Sequence, residues 1–471
     1  MKKGLYWFTN DLRLHDNLAL NSLLLTCQKI IFLYVVDPRW FESNNYYQQP
    51  IGHHRWLFIQ QSIADIEQQL KKYGHSLHII EGQPEKVIPD MLADNAIDVI
   101  GCAAQVGFYE GKIWQKIQQS TNANCQCKFN STLYLPEQID LTEHGLRSFS
   151  AFRKNIESSD LTPYLPIEQL KIADIQPLRV NENFCITVRS LSRYHQPSSK
   201  LTDNADETFN QISANEPLFK GGETAALLHI SQYFNTDSAL SYKQTRNVLD
   251  GWLQSTKFSP YLAVGNISAR QLWQIVKSYE AKRQKNESTY WIGFELLWRE
   301  YFQWTALQQK SQLFSFQGVA SKRPLTSFYS QRFIQWCQGC TSYPLVNACM
   351  HQLNRTGFMS NRGRQIVASC LVNELSVDWR YGAAYFQQQL VDYDVASNWG
   401  NWQYIAGVGK DQRGGRHFNL TKQTEMYDPD EKFINQWQGH QETKLTDSVD
   451  QADWPCFDDK PDNTSDHSKD F

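Results

Sequence analysis

Residues 356–370, TGFMSNRGRQIVASC, and residues 392–404, DYDVASNWGNWQY, decide the fold of this 471-residue chain. Asn361 and Gln365 are four positions apart, so on a helix they share one face, with Arg364 beside them. The second stretch opens with two aspartates and continues with Trp and Tyr. Carboxylates, amides, a guanidinium and aromatic rings can together bind a planar, polar, redox-active ring.

The first 130 residues alternate apolar runs with a helical pattern. The runs have the length and composition of buried parallel strands, and they lie at residues 4–8, 29–37, 77–80 and 97–101. Residues 52–74 have helical periodicity and end in a glycine. This pattern predicts a doubly wound parallel α/β domain over residues 1–130, without the GxGxxG fingerprint of a standard dinucleotide site.

Beyond residue 130 the chain changes character. Residues 131–215 contain five prolines and several polar runs, which predict a long interdomain connector. Residues 216–430 favour helices throughout, and the helix expected over residues 290–304 is apolar on nearly all sides, which predicts its burial. Residues 431–471 are rich in Asp, Ser and Thr, and we expect a disordered acidic tail there.

Charge is distributed unevenly along the chain. The net charge is −3, but residues 240–425 contain 21 Lys and Arg against 11 Asp and Glu, a balance of +10, whereas residues 426–471 carry −8. A basic domain with an acidic tail can bind nucleic acid through one face, although a solvated charged surface explains the same counts.

The ten cysteines form no framework. The close pairs Cys125 with Cys127 and Cys337 with Cys340 lack further ligands at metal-site spacing, so we expect no metal site. The chain opens in an apparent strand rather than a signal peptide, and no apolar run reaches membrane-spanning length. We therefore expect a cytoplasmic monomer without membrane contact.

Two further groups of residues carry candidate chemistry. Residues 255–259, STKFS, offer hydroxyls, a lysine and backbone amides before a helix, which can bind a pyrophosphate or form an ordinary turn. Glu295, Trp298 and Arg299 share one helix face. A carboxylate and a guanidinium on an apolar helix need partners, either in a structural ion pair or in a polar binding pocket.

These strings together resemble the photolyase/cryptochrome family, and Gln365 and Tyr404 are variants typical of its DASH branch. The match extends from DLRLHDNLAL at residues 11–20 to about residue 430, although the family usually has Arg at the position of Thr9. The resemblance implies a C-terminal helical domain that binds FAD. The residues implied for FAD binding are Tyr242, Ser255, Thr256, Lys257, Phe258, Ser259, Arg299, Asn361, Arg364, Asp392, Asp394 and Asn398.

The resemblance also implies roles within this set. Arg364 and Asp392 match an ion pair against the isoalloxazine, and a nearby guanidinium favours the anionic reduced flavin. Asp394 matches a contact to the ring edge, and Asn398 matches the residue that faces flavin N5. Glu110 matches the acid that binds the pterin of 5,10-methenyltetrahydrofolate, the usual DASH antenna.

A second implied set contacts a DNA lesion. The residues implied for catalysis are Glu295, Trp298, Asn361, Gln365 and Tyr404. Many photolyases have a second Trp in place of Tyr404 and Met in place of Gln365, so this pocket is more polar and offers less stacking area. The expected substrate is a pyrimidine dimer in single-stranded DNA, with weaker action on double strands, because a single strand avoids the cost of base extrusion.

Trp402 and Trp379 match the first two members of the family's electron-transfer chain. The third position falls at Thr326, which has no redox-active ring, so Tyr329 or Trp336 is a candidate substitute. The resemblance thus implies a light-driven repair enzyme. The alternative is a blue-light photoreceptor whose flavin photochemistry changes partner binding with little repair.

Overall fold

The computed structural model describes residues 1–142, 145–159, 161–167, 172–178, 180, 186–188, 190–191, 218–320, 323–410 and 415–440. These residues form an α/β domain followed by a helical domain. The predicted fold class is therefore confirmed. Residues 192–217, the second part of the predicted connector, lie outside the described residues.

The α/β domain is built on a parallel sheet. Its strands are β1 (Lys3–Phe8), β2 (Lys29–Val36), β3 (Leu77–Glu81), β4 (Val99–Ala103), β5 (Asn124–Lys128) and β6 (Gln176–Pro177). The order is β3-β2-β1-β4-β5, with β6 beside the start of β2, and all pairings are parallel. The apolar runs predict the first four strands. They do not predict β5, whose polar sequence NCQCK reflects its exposed place at the sheet edge.

Helices cover the sheet and lead into the second domain. Those of the α/β domain are α1 (Leu18–Leu24), α2 (His53–Lys71), α3 (Pro84–Asp94) and α4 (Phe108–Gln119). The predicted connector contains a helix of its own, α5 (Phe149–Ser158), which begins at the capping residue Ser148. Because α5 packs against the longest helix of the second domain, the connector contributes side chains to that domain.

The helical domain surrounds one long buried helix. Its elements are α6 (Glu223–Phe234), α7 (Ser238–Thr245), α8 (Ser259–Val264), α9 (Ala269–Lys282), α10 (Glu287–Gln309), α11 (Ser330–Gln338), α12 (Pro344–Thr356), α13 (Asn361–Ser369), α14 (Trp379–Gln389), α15 (Val395–Ala406), α16 (Leu420–Tyr427) and α17 (Lys432–Gln436). α10 contacts α5, α7, α9 and α15. Its predicted burial is confirmed, since apolar residues on several sides of it are buried.

The first residues of the predicted acidic tail, which was expected from residue 431, belong to the folded helical domain. Lys432–Gln436 is helical, and Phe433 and Ile434 are 6% and 1% exposed. The Asp428 carboxylate accepts hydrogen bonds from the backbone amides of both residues, at 2.9 and 2.8 Å. Two apolar side chains buried against α12 are enough to outweigh the polar composition of this segment. Residues 441–471 lie outside the described residues.

A buried polar network joins the two domains. Asp16 accepts from Arg270 Nε at 3.0 Å, and both side chains are almost fully buried. Arg13 Nη1 donates to the Gly265 carbonyl at 2.9 Å. The buried Glu223 carboxylate accepts from the Leu14 amide at 2.9 Å. Loss of one partner would leave a buried charge uncompensated, so this network fixes how the helical domain sits on the sheet domain.

Candidate functional site

A cleft open to solvent lies in the helical domain. α13, α15 and the segment between α14 and α15 form most of its wall. The lining residues are Asn361, Arg364, Gln365, Ala368, Phe386, Leu390, Asp392, Tyr393, Asp394, Ser397, Asn398, Asn401, Trp402, Tyr404 and Ile405. The stretches 356–370 and 392–404 therefore meet at one cleft.

An ion pair lies in the wall of this cleft. Arg364 Nη2 is 2.8 Å from Asp392 Oδ2, and Arg364 Nε donates to the Met359 carbonyl at 2.9 Å. The Ser259 hydroxyl donates to the same Asp392 oxygen at 2.6 Å, which brings residues 255–259 to the pair. Asp392 Oδ1 is buried and has no hydrogen-bond partner within the described part of the chain. A buried carboxylate oxygen of this kind needs a donor, which a ligand can supply.

Residues 255–259 form a strained turn before α8. Lys257 has a φ of 53°, and its Nζ donates to the Ser255 hydroxyl at 2.9 Å. Burial lowers the pKa of Lys257 to about 8. The Thr256 carbonyl is hydrogen-bonded to His229 Nε2 at 2.9 Å, and Phe258 is 2% exposed. The hydrogen-bond partner of this buried ammonium is a neutral hydroxyl, so its charge is not neutralised there. A bound anion would neutralise it and is therefore favoured.

Asp394 and Asn398 are held at the start of α15. Asp394 caps the helix by accepting from the Ser397 amide at 2.7 Å. It also accepts from Gln303 Nε2 at 2.9 and 2.8 Å. Asn398 Nδ2 donates to the Ala383 carbonyl at 3.0 Å, which fixes the orientation of its amide. Gln303 was not predicted as a site residue; its signal is a buried amide on a mostly apolar helix.

Glu295 pairs with a residue that the sequence did not single out. Arg246 Nη1 donates a hydrogen bond to the Glu295 carboxylate. The carbon of the Arg246 guanidinium also lies 4.4 Å from the centre of the Trp291 ring. Burial raises the pKa of Glu295, and Arg246 opposes that shift. Tyr242 is buried on α7, which Arg246 follows as the C-cap residue, and burial, followed by the charge of Glu295, raises the pKa of Tyr242. Arg246 lies four residues after Tyr242, so helical spacing could have found it.

Trp298 and Tyr404 adjoin each other beside the cleft. Their ring centres are 6.3 Å apart, with an interplanar angle of 74°. Phe149 of α5 stacks on Trp298 with ring centres 3.7 Å apart. Arg416 donates to the Tyr404 hydroxyl, and its guanidinium carbon lies 4.8 Å from the Tyr404 ring centre. Phe149 and Arg416 come from segments distant in sequence, and nothing in their local sequence marks them.

Backbone carbonyl groups hold the Arg299 side chain. Its guanidinium donates to the carbonyl of Ser131 and, at 3.4 Å, to that of Leu262. Like Tyr242, residues 255–259, Glu295 and Trp298, it is absent from the cleft lining. Because these acceptors belong to the connector and to α8, Arg299 ties the connector to the helical domain.

The two predicted electron-transfer tryptophans are both buried, on the neighbouring helices α14 and α15. Trp402 is 2% exposed and Trp379 is fully buried. Gly382, one turn after Trp379, lets the Trp402 ring approach, because a Cβ there would be 2.3 Å from Trp402 Cη2. Trp336, proposed as a substitute outer member, is fully buried with its ring centre 6.2 Å from that of Trp402. It therefore lies beside the first member of the chain.

Trp379 has another aromatic neighbour. Its ring centre is 5.8 Å from that of Trp399, which in turn is 6.3 Å from Tyr46 of the α/β domain. Thr326 lies near the start of α14, since its neighbour Ser327 pairs with Val377. Thr326 is therefore half-buried near Trp379, whereas Trp399 packs against Trp379.

Glu110 lies in a polar cluster where the two domains meet. Its carboxylate folds back over Gly107, where a Cβ would be 2.1 Å from Glu110 Oε2. This oxygen is buried without a partner among the described residues, and burial raises the pKa of the carboxyl. The positive charge of Arg55 partly offsets this rise in the pKa of Glu110. The carbon of the Arg55 guanidinium lies 4.5 Å from the centre of the Tyr393 ring.

Comparisons with known proteins match both domains. A family model described as DNA photolyase matches residues 4–170, and one described as the FAD binding domain of DNA photolyase matches residues 291–456. Cryptochrome DASH of Idiomarina loihiensis is 44% identical over 96% of this chain and 96% of its own length. The chain belongs to the photolyase/cryptochrome family, in its cryptochrome DASH branch. Cryptochrome DASH of Vibrio parahaemolyticus is 43% identical over 97% of this chain and 98% of its own.

Solved structures of the family have the same architecture. The cryptochrome of Synechocystis sp. PCC6803 has a TM-score of 0.83 at 36% identity, over 93% of this chain and 88% of its own. A photolyase of Sulfolobus tokodaii with two FAD molecules has a TM-score of 0.72 at 26% identity, over 92% of this chain and 90% of its own. The domain order found here is therefore that of photolyases and cryptochromes.

The cleft fits the FAD of this family. Asp392 Oδ1, which has no partner among the described residues, can accept a hydrogen bond from the cofactor, the Arg364 guanidinium can compensate a negative flavin ring, and Lys257 with its neighbouring hydroxyl suits the diphosphate. No helix in the described part of the chain is long and apolar enough to cross a membrane. Among the described residues, no group of three or more His, Cys, Asp or Glu could hold a metal ion.

Proposed function

We propose that this protein repairs cyclobutane pyrimidine dimers in DNA by light-driven electron transfer, preferentially in single strands. Bound FAD, once fully reduced and excited by light, would supply the electron that splits the dimer and then regain it. The observation that carries the proposal is the contact of Trp298 with Tyr404, a residue of the cleft wall. Tyr404 belongs both to the residues implied for the lesion and to the cleft wall, so its contact with Trp298 supports a lesion pocket that adjoins the cofactor cleft.

The chain's own groups would hold the lesion. An ionised Glu295 accepts a hydrogen bond from a pyrimidine N–H, and the Arg246 guanidinium opposes the rise in its pKa that burial causes. The amides of Asn361 and Gln365 line the cleft and can both donate and accept. Trp298 and Tyr404 supply the apolar surface against which a base packs.

The same residues favour single-stranded DNA. Stacking of a base on an aromatic ring contributes about 1–3 kcal/mol, and Tyr404 and Gln365 together offer less stacking area than Trp and Met. Extruding a paired dinucleotide costs a few kcal/mol, a cost that a single strand avoids. A deficit of ~2–4 kcal/mol would lower duplex repair by roughly 30- to 1,000-fold at limiting enzyme.

Matched oligonucleotides with one thymine dimer, single- and double-stranded, test the proposal under blue light. We expect faster repair of the single strand, and Glu295→Gln should abolish repair while FAD content stays unchanged. Glu287→Gln on the same helix is the control, since Glu287 is exposed and pairs with Lys243. Equal rates on both strands would refute the strand preference. No repair by the fully reduced parent would instead favour the blue-light photoreceptor.

We further infer that Glu110 binds the pterin ring of a methenyltetrahydrofolate antenna. The buried, unpartnered Oε2 beside Arg55 supports this assignment. The bound antenna should add a near-ultraviolet absorption band to that of the flavin, and Glu110→Gln should remove the band while leaving FAD bound. Glu85→Gln is the control, because Glu85 pairs with Arg39 elsewhere on the same domain. An intact band in Glu110→Gln would refute the assignment.

A further inference from the structure

The connector helix α5 places an aromatic ring directly on Trp298. Phe149 is the first residue of α5. The centre of its ring lies 3.7 Å from the centre of the Trp298 ring, and the two ring planes are inclined by 12°. At this separation two parallel rings are in van der Waals contact over much of one face. One face of Trp298 is therefore already occupied in the protein.

Other contacts limit the movement of both rings. Trp298 also stacks with Phe302 at 5.6 Å and 28°. Phe149 meets Phe294 edge-on at 5.1 Å and Tyr301 at 6.0 Å, and it is 6% exposed. Ser148 caps α5 by accepting from the Ala151 amide at 3.2 Å, so the helix start that carries Phe149 is fixed as well.

We propose that Phe149 is a positioning residue for Trp298, a role that rests on the proposed repair function. By covering one face of the indole, it holds Trp298 in the orientation that adjoins Tyr404. A lesion can then pack only on the remaining surface of Trp298, and the side chain needs no ordering when the lesion binds. The connector thereby sets the shape and selectivity of the lesion pocket.

Pre-organisation of one side chain changes affinity by about 2- to 10-fold. Phe149→Leu removes the stacked ring while keeping an apolar side chain, whereas Phe149→Tyr keeps the ring. Phe152→Leu is the matched control, because Phe152 lies on the same helix and packs on Tyr301 at 5.8 Å. FAD content and the thermal unfolding midpoint of each variant report whether the fold is intact.

Equilibrium binding to single-stranded oligonucleotides with and without one thymine dimer gives the first measurement. We expect Phe149→Leu to raise the Kd for the lesion about 2- to 10-fold, with no change for undamaged DNA and with kcat of repair retained. Phe149→Tyr and Phe152→Leu should match the parent, and Phe149→Leu should add no loss in a Trp298→Leu background. Parental lesion affinity in Phe149→Leu, or an equal loss in Phe152→Leu, would overturn the proposal.

A crystal structure of Phe149→Leu separates this proposal from the repair function. We expect Trp298 to adopt a different side-chain orientation or several orientations in the variant. An unmoved, well-ordered Trp298 would overturn the positioning role. A parent that binds damaged and undamaged DNA equally would refute repair, while the orientation of Trp298 in the variant would still decide whether Phe149 positions it.

Discussion

At the scale of single residues, Lys257 shows how burial prepares a side chain for an anionic ligand. Its backbone is left-handed, its Nζ contacts the Ser255 hydroxyl, and burial lowers its pKa to about 8 from the usual value near 10.5. Between these values the unfolded chain binds more protons than the folded one, so this group makes the ligand-free protein more stable as pH rises through the window. A bound diphosphate would raise the pKa of Lys257 again, because its negative charge favours the charged ammonium.

FAD affinity should therefore depend on pH through Lys257. Below about pH 8 the ammonium is already protonated and affinity should be constant. Above about pH 8 each unit of pH should weaken FAD binding by up to tenfold, because binding must then take up a proton. Fluorescence titration of the cofactor-free protein with FAD from pH 7 to 9.5 measures the dependence. Lys257→Met should bind weakly at every pH with a flat profile, whereas the surface variant Lys277→Met should match the parent; a flat parental profile would contradict the assignment.

At the scale of elements, composition and periodicity predict the four buried strands, α2, the long helix α10 and a helical domain after residue 216, whereas most of the cleft residues after residue 390 are implied by the family resemblance. Composition and periodicity do not predict β5, whose residues are polar at the sheet edge, or α17, where two buried residues outweigh their charged neighbours. The residues that pack on the site residues are harder to predict from the sequence than the helices and strands are. Phe149 and Arg416 reach the site through tertiary packing between segments distant in sequence, and spacing along one helix shows only which residues share a face.

The aromatic contacts of α14 and α15 predict which ring donates an electron to Trp379 during photoreduction. Electron tunnelling falls exponentially with distance, and the Trp399 ring centre lies 5.8 Å from that of Trp379, whereas Thr326 has no redox-active ring. We expect Trp399→Phe to slow flavin photoreduction under blue light with an external reductant, and Thr326→Trp to accelerate it in the parent and restore it in Trp399→Phe. Trp336→Phe serves as the control, because this ring lies beside Trp402. Unchanged photoreduction in Trp399→Phe, together with its loss in Tyr329→Phe, would show that Tyr329 is the donor instead.

At the scale of the whole molecule, the chain has a basic part that attracts DNA and an acidic part that repels it. Residues 240–425 carry a balance of +10, and the network of Asp16 with Arg270 fixes the domain that contains them on the sheet domain. Residues 441–471 contain nine Asp and Glu against three Lys, a balance of −6. Because the total is −3, the chain without this segment carries +3. The sign of the net charge, and with it the long-range attraction for a polyanion, depends on these last residues.

Removal of residues 441–471 should therefore strengthen non-specific binding to single-stranded DNA. Screening confines such charge effects to about 10 Å at 0.1 M salt and about 3 Å at 1 M, so the gain should be several-fold in dilute salt and vanish near 1 M. Titration of undamaged oligothymidine over a salt series measures both affinity and its salt dependence. A full-length variant with the nine acids changed to Asn or Gln is the matched control, and it should reproduce the truncation if charge is the cause. The repair rate at saturating single-stranded substrate should stay unchanged, because Glu295, Trp298 and Tyr404 are untouched. Equal affinity of parent and truncated chain at low salt would show that the acidic segment has no influence on the DNA-binding face.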